Sequence, residues 1–244
     1  MRPSNVKTAS GLCNHKGFSL MEVITAMAAG LVVLFAALQA VWYFQREFAR
    51  QHAQIIQEQD VRLGLELFEQ ELRLASREAL AVARQDTVEF TANISGLITT
   101  IIAPAAAGQT TLTVEDGGGW PDKKLVHVCW NEQCEHFTLA RTGLRNLLTL
   151  AEPTQRPIPS GASVMVMNRL RYYSRPDERG IIRFLRQIDG GASVIASNIA
   201  RLTFSYWDAQ GRPTTHPASV RRVIIELVLP GRAVAEFREI SLRT

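Results

Sequence analysis

The chain has none of the short motifs that mark common catalytic sites. It contains no G-x-S-x-G, no H-E-x-x-H, no glycine-rich phosphate loop and no G-x-G-x-x-G. Nothing therefore points to a nucleophile elbow, a zinc protease or a nucleotide fold. An enzyme is not expected, and neither is a cofactor or a metal. Proline is absent between Phe18 and Ala103, so one helix can run uninterrupted through the first third of the chain. Charge is absent from Val23 to Gln45. Excess charge is also scarce. Of the 27 basic residues, Arg2, Lys7 and Lys16 precede the apolar run, which leaves 24 against 23 acidic residues. So even a balance gives no argument for a nucleic-acid partner and does not exclude one. Internal repeats and low-complexity tracts are missing too, so the 244 residues read as one ordinary chain with one unusual end.

That end is the apolar run. It exceeds the roughly 20 residues that a membrane-spanning helix needs. Basic residues lie before it and no acidic residue precedes Glu22, which places the N-terminus on the cytoplasmic side. Trp42 and Tyr43 stand where the helix would leave the bilayer, as an interfacial aromatic anchor. Glu22 is the anomaly. A carboxylate costs about 2.5–3.5 kcal/mol at the bilayer centre, so it asks for a partner. A secretory signal peptide competes with this reading, but its cleavage site should follow the apolar region. Here Ala26-Met27-Ala28 comes too early. An uncleaved membrane anchor is the other competitor.

Gly17-Phe18-Ser19-Leu20-Met21-Glu22 resembles the processing site of prepilin-like proteins. In that family a basic leader ends in Gly, a prepilin peptidase cuts before Phe and methylates the new N-terminus, and a Glu stands at the fifth mature position. The resemblance implies cleavage after Gly17, N-methylation of Phe18, and an assembly role for Glu22, which would pair with an N-terminal amine. An α-amino group has a reference pKa of about 8 and is mostly protonated at neutral pH, so it supplies the partner the carboxylate lacks. The stretch from Asp60 to Ala75, with Arg62, Leu63, Leu65, Leu67, Glu71, Leu72, Arg73 and Ala75, is similar to the matching helix of PilW-type minor pilins and of J-type minor pseudopilins of type II secretion. A weaker likeness to the same families runs from Ala200 to Asp208 and from Ser241 to Thr244.

Residues 18 to about 84 read as one long helix. Its second part carries Val61, Leu65, Phe68, Leu72, Ala75 and Ala79 in one stripe at helical period. Ile56, Leu63, Leu67 and Leu74 are expected to widen that stripe. Glu58–Arg62 and Glu69–Arg73 have the favourable i, i+4 order. After residue 85 the period changes to two. Short strands are expected at Thr87–Thr91, Leu97–Ile102, Thr110–Glu115, Lys124–Trp130, Glu135–Ala140, Ser163–Met167, Arg169–Tyr173, Ile181–Gln187, Arg201–Trp207, Arg221–Leu229 and Val234–Leu242. Pro230-Gly231 marks a hairpin between the last two. The fold class is α+β: a long N-terminal helix, membrane-spanning in front and amphipathic behind, packed on antiparallel sheet. With the resemblance, it is pilin-like. The expected divisions are a leader at 1–17, a transmembrane or fibre-core helix at 18–45, its amphipathic continuation at 46–84, and a β-rich domain at 85–244.

Two further groups stand out. His127-x-Cys129-x4-Cys134-x-His136 reads as a hairpin in which Cys faces Cys and His faces His. A disulfide, free thiols and a tetrahedral zinc held by all four residues each fit. Cys13 would leave with the leader, and an even pair in an oxidising compartment favours the Cys129–Cys134 disulfide. Arg169, Arg171, Arg175, Arg179, Arg183 and Arg186, joined by Arg221 and Arg222, form a basic cluster by sequence, with a solvated sheet face as the ordinary explanation and binding of DNA, lipid headgroups or an acidic partner subunit as the functional one. The resemblance implies a minor subunit of a type IV pilus, held in the inner membrane by one span with a periplasmic domain and then built into a fibre. Its partners would be the prepilin peptidase and other minor and major pilins or pseudopilins. Two alternatives stay open: a minor pseudopilin of type II secretion, and a membrane-anchored binding protein that never polymerises.

Overall fold

The structure, a computed structural model, describes residues 19–75, 79–131, 133–232 and 234–242. The N-terminal helix α1 covers Leu20–Leu74. The chain divides into two units, one ending at Ile55 and the other running from Ile56 to Thr244.

The described part of the first unit is helix alone. Ser19 and Gln45 bound an apolar surface in which Leu31, Val32, Val33, Leu34, Phe35 and Leu38 are all exposed. α1 is long and apolar enough to cross a membrane. The polar Thr25 in this stretch returns its hydroxyl proton to the helix backbone, at 3.0 Å from the carbonyls of Met21 and Glu22, so it exposes no unpaired donor.

In the second unit the helix lies on antiparallel sheet. Strands β1 (Leu80–Ala83), β2 (Thr87–Ala92), β3 (Ile98–Thr100), β4 (Thr111–Thr113), β5 (Leu125–Trp130), β6 (Gln133–Thr138) and β7 (Leu147–Thr149) come first. Then follow β8 (Ser163–Pro176), β9 (Ile182–Ile188), β10 (Gly191–Ile199), β11 (Arg201–Trp207), β12 (Arg222–Val228) and β13 (Glu236–Ser241). The 14-residue β8 joins the parts. Its first half pairs with β3 and β5, its second half with β2 and β9. β6 extends the sheet beyond β5, β10 pairs with β9, and β11-β12-β13 form a separate sheet.

Two hydrophobic cores result. The first takes the stripe Val61, Leu65, Phe68, Leu72 and Ala75 of α1 against Phe90, Tyr172, Phe184, Phe204 and Ile225. Phe68 meets Tyr172 edge to face, with centroids 4.9 Å apart. Val61, Leu65, Phe68 and Leu72 are at most 1% exposed, and each such burial stabilises the fold by about 1.5–3 kcal/mol. The second core gathers Ile101, Leu112, Val126, Val128, Leu148 and Val164 without any helix. Gly64 lets β10 approach α1: a Cβ there would lie 2.1 Å from the Ile195 Cγ2. Tyr206 ties β11 to the turn between β1 and β2 by donating to the carbonyl oxygens of Arg84 and Thr87, at 2.8 and 3.0 Å.

The α+β arrangement and the buried stripe agree with the sequence pattern. Several boundaries differ. α1 ends at Leu74 rather than near 84, and Leu80–Ala83 is strand, because Leu80 and Ala83 are needed in the core beside Phe90. The two strands expected at Ser163–Met167 and Arg169–Tyr173 are one. β7 and β10 are additions. Ile56, Leu63 and Leu74 do not widen the buried stripe; all three are exposed. Glu69 pairs with Arg73 as expected, at 2.7 Å, but Glu58 pairs with Arg232 and not Arg62. The β12–β13 hairpin at Pro230-Gly231 is formed.

Candidate functional site

The front of α1 is built by Ser19. Its hydroxyl oxygen accepts from the Glu22 amide at 3.2 Å, and its carbonyl accepts from the same amide at 3.0 Å. Ser19 thus acts as the helix N-cap, which leaves Glu22 as the third helical residue. Ser19-x-x-Glu22 is the pattern of a capping box, so the residue order itself carries a signal for a helix start at this point. A carboxylate in the first turn also gains from the helix dipole, about 0.3–1 kcal/mol at an exposed site. Glu22 therefore has a local reason to sit at the helix start, while its side chain stays exposed. Gly17 and Phe18, the expected cleavage and methylation residues, lie outside the described residues.

The hairpin of β5 and β6 is the second place where reactive groups meet. The register sets Cys129 opposite Cys134 and His127 opposite His136. The two sulfurs form a disulfide, with Cα atoms 4.1 Å apart, so the thiols that a four-ligand zinc site would use are bonded to each other. The imidazoles lie 4.0 Å apart, centroid to centroid, tilted by 59°. Burial first, and then the neighbouring His136, pull the His127 pKa down to about 4. The His127 ring is therefore neutral at physiological pH. Among the described residues, no group of three or more His, Cys, Asp and Glu is placed to hold a metal ion.

The arginines expected as one basic cluster separate once folded. Arg186 turns inward: its Nε donates to Glu71 Oε2 at 2.9 Å, and its Nη2 bonds the other carboxylate oxygen. The buried Tyr172 hydroxyl donates to Glu71 as well. Burial raises the Tyr172 pKa, and the Glu71 carboxylate beside it raises it further. This three-residue network fastens α1 to β8 and β9. Arg169 pairs with Glu89, Arg183 with Asp177 at 2.8 Å, and Arg222 with Glu239 at 2.8 Å. Arg221 donates to the carbonyls of Ala218 and Val220. Arg171 lies over the Tyr173 ring at 4.9 Å.

A cleft of about 760 Å³ opens on the outer face of β2, β8 and β9, lined by Lys123, Lys124, Arg169, Arg171, Glu89 and Asp189 among others. Its charges are largely satisfied within the wall. Asp189 accepts from Lys124, from Asn168 Nδ2 at 2.8 Å and from the Arg169 amide at 2.8 Å. Burial alone would raise the Asp189 pKa; these three donors outweigh it and hold the carboxyl below its ordinary value. The cleft is a mixed, internally paired surface rather than a single-sign binding groove.

Compared with protein-family models, curated proteins and solved structures, the chain matches none of them.

Proposed function

We propose that this chain is a minor subunit of a type IV pilus. A prepilin peptidase cuts it after Gly17, Phe18 becomes the N-terminal residue and is methylated, and the chain enters the fibre through α1. Before assembly it is held in the inner membrane by one span, with the β-rich part in the periplasm.

One observation carries the reading. An exposed apolar helix with no charge from Val23 to Gln45 carries a carboxylate in its first turn and continues directly into the helix that a folded unit grips along one stripe. Such a surface demands an apolar surrounding: lipid before assembly, other helices after it. The Glu22 carboxylate disfavours both unless an amine comes to it, and cleavage after Gly17 creates one a helical turn away in sequence. Pairing of Glu22 with the amine of a neighbouring subunit would then select one register between helices. The disulfide of β5–β6 suits a periplasmic location. Partners are the peptidase and other pilins.

A minor pseudopilin of type II secretion is the second reading, since the likeness of Asp60–Ala75 extends equally to the PilW-type and the J-type helix. A membrane-anchored protein that never polymerises is the third. The test is the N-terminus of the protein from membranes of its native host, followed by fibre fractionation. A chain starting at methylated Phe18 and found in sheared fibres is expected, and Glu22→Ala should be processed but absent from fibres. A chain that starts at Met1, or Glu22→Ala incorporated as well as wild type, overturns the assembly reading. Recovery with a secretion pseudopilus moves the chain to the second reading, and processing without fibre entry to the third.

A further inference from the structure

The β5–β6 hairpin offers a second function, independent of fibre assembly. His127 and His136 are direct cross-strand partners, and on the other side of β5 the register sets Met165 of β8 opposite His127. The three residues therefore form one row across β6, β5 and β8 on the same sheet face. The opposite face is the second core, where Val126, Val128, Val164 and Phe137 are buried. His127 and Met165 are half-buried and His136 is exposed on the edge strand, so the row is reachable from solvent. The disulfide two pairs closer to the turn, the next row on this face in that direction, holds the two strands together. The two rings are thus kept close without any ligand, and little order has to be created when one binds.

We infer that His127, His136 and Met165 form a surface site for a single copper ion. The donor set argues for the metal. Two imidazoles suit copper, zinc and nickel, whereas a thioether is a soft ligand that selects copper. Leu125, Thr138 and Met167, the next row on this face, add no carboxylate, the ligand type on which calcium and magnesium sites are built. The ring centroids are 4.0 Å apart and the planes are tilted by 59° rather than stacked, so the two imidazoles are close enough to share one ion. This departs from the absence of metal expected from the sequence, in which the spacing offers only a site that uses all four His and Cys residues.

The test uses the full chain in detergent with Cys13→Ser and His15→Ala, which removes competing ligands from the N-terminal segment. Cu(II) alone is titrated and followed by electron paramagnetic resonance. One ion per chain with coupling to two nitrogens is expected. His136→Ala or His136→Gln should weaken Cu(II) binding at least about ten-fold, with the disulfide and circular dichroism unchanged, while His216→Ala leaves it intact. Met165→Leu should weaken Cu(I) binding, measured by chelator competition, by about ten-fold as well. Equal Cu(II) affinity with and without His136, or an equal loss on His216→Ala, overturns the site. Unchanged Cu(I) affinity in Met165→Leu overturns the assignment of copper through the thioether.

Discussion

Arg186→Met isolates the buried network that joins α1 to the sheet. Glu71 and Arg186 side chains are 7% and 18% exposed, and both carboxylate oxygens are occupied by Arg186 and Tyr172. Removing one partner of a buried pair costs about 3–5 kcal/mol, because the remaining charge is left uncompensated. Here Tyr172 continues to donate, and Arg186 keeps some water contact. The lower end, about 3 kcal/mol, is therefore expected. For a unit of this size that is a fall in Tm of roughly 6–12 °C. The assay is denaturant or thermal unfolding of the detergent-solubilised chain, followed by near-ultraviolet circular dichroism. A companion variant tests the cause. Glu71→Leu, Tyr172→Phe and Arg186→Met together remove every member of the network. Well-packed apolar replacements of buried ion pairs are often neutral or stabilising, so this triple variant should lie within about 1 kcal/mol of wild type. A single-variant cost below about 1 kcal/mol, or a triple variant less stable than the single, would refute the argument that stranded charge is what destabilises.

Other perturbations follow from the same structure. Gly64→Ala should destabilise by about 1–3 kcal/mol through overpacking against Ile195, although alanine is the better helix former by about 1 kcal/mol; a gain in Tm would show that β10 yields freely. Replacing both Cys129 and Cys134 with Ser should cost about 2 kcal/mol by loop-closure entropy for so short a loop, read as a shift in denaturant midpoint. Asp189 has a depressed folded pKa, so its contribution is fully present above the unfolded carboxyl value of about 3.9 and is lost as pH falls through the folded pKa. Wild type should therefore lose its stability advantage over Asp189→Asn below about pH 4, and an unchanged difference at lower pH would show that the Lys124, Asn168 and Arg169 contacts do not depend on the charge.

The helix and its buried stripe were legible because they are local. Val61, Leu65, Phe68, Leu72 and Ala75 recur at the helical period, and the sheet side of the molecule reads them in that order. The end of the helix was not legible. Ala75, Ala79 and Leu80 continue an apolar pattern that helix and strand share, and only pairing with β2 decides for strand at Leu80. The loop Gln85-Asp86 between β1 and β2 carries no glycine or proline signal. β10 was missed for a similar reason: Gly191-Ala192-Ser193 is poor strand material, held by its partner β9 after the turn at Asp189-Gly190, whose φ values are 48° and 101°. At the candidate site, Glu22 and the hairpin spacing of the Cys and His pairs were visible in the residue order, while Met165 was not, since it lies on a strand distant in sequence.

By itself the sequence determined whatever depends on neighbours a few residues apart. That covers the uncharged apolar helix, its charged first turn, the amphipathic stripe and the alternation that calls for sheet. The tertiary structure alone decided the fate of the charges. Arg169, Arg183 and Arg186 look alike in the chain, yet Arg186 is drawn inside by a glutamate 115 residues away, whereas Arg169 stays exposed while it pairs with a buried glutamate 80 residues away. The difference is physical: periodicity is a property of the local backbone, whereas the cost of burying a charge depends on which partner the fold brings to it.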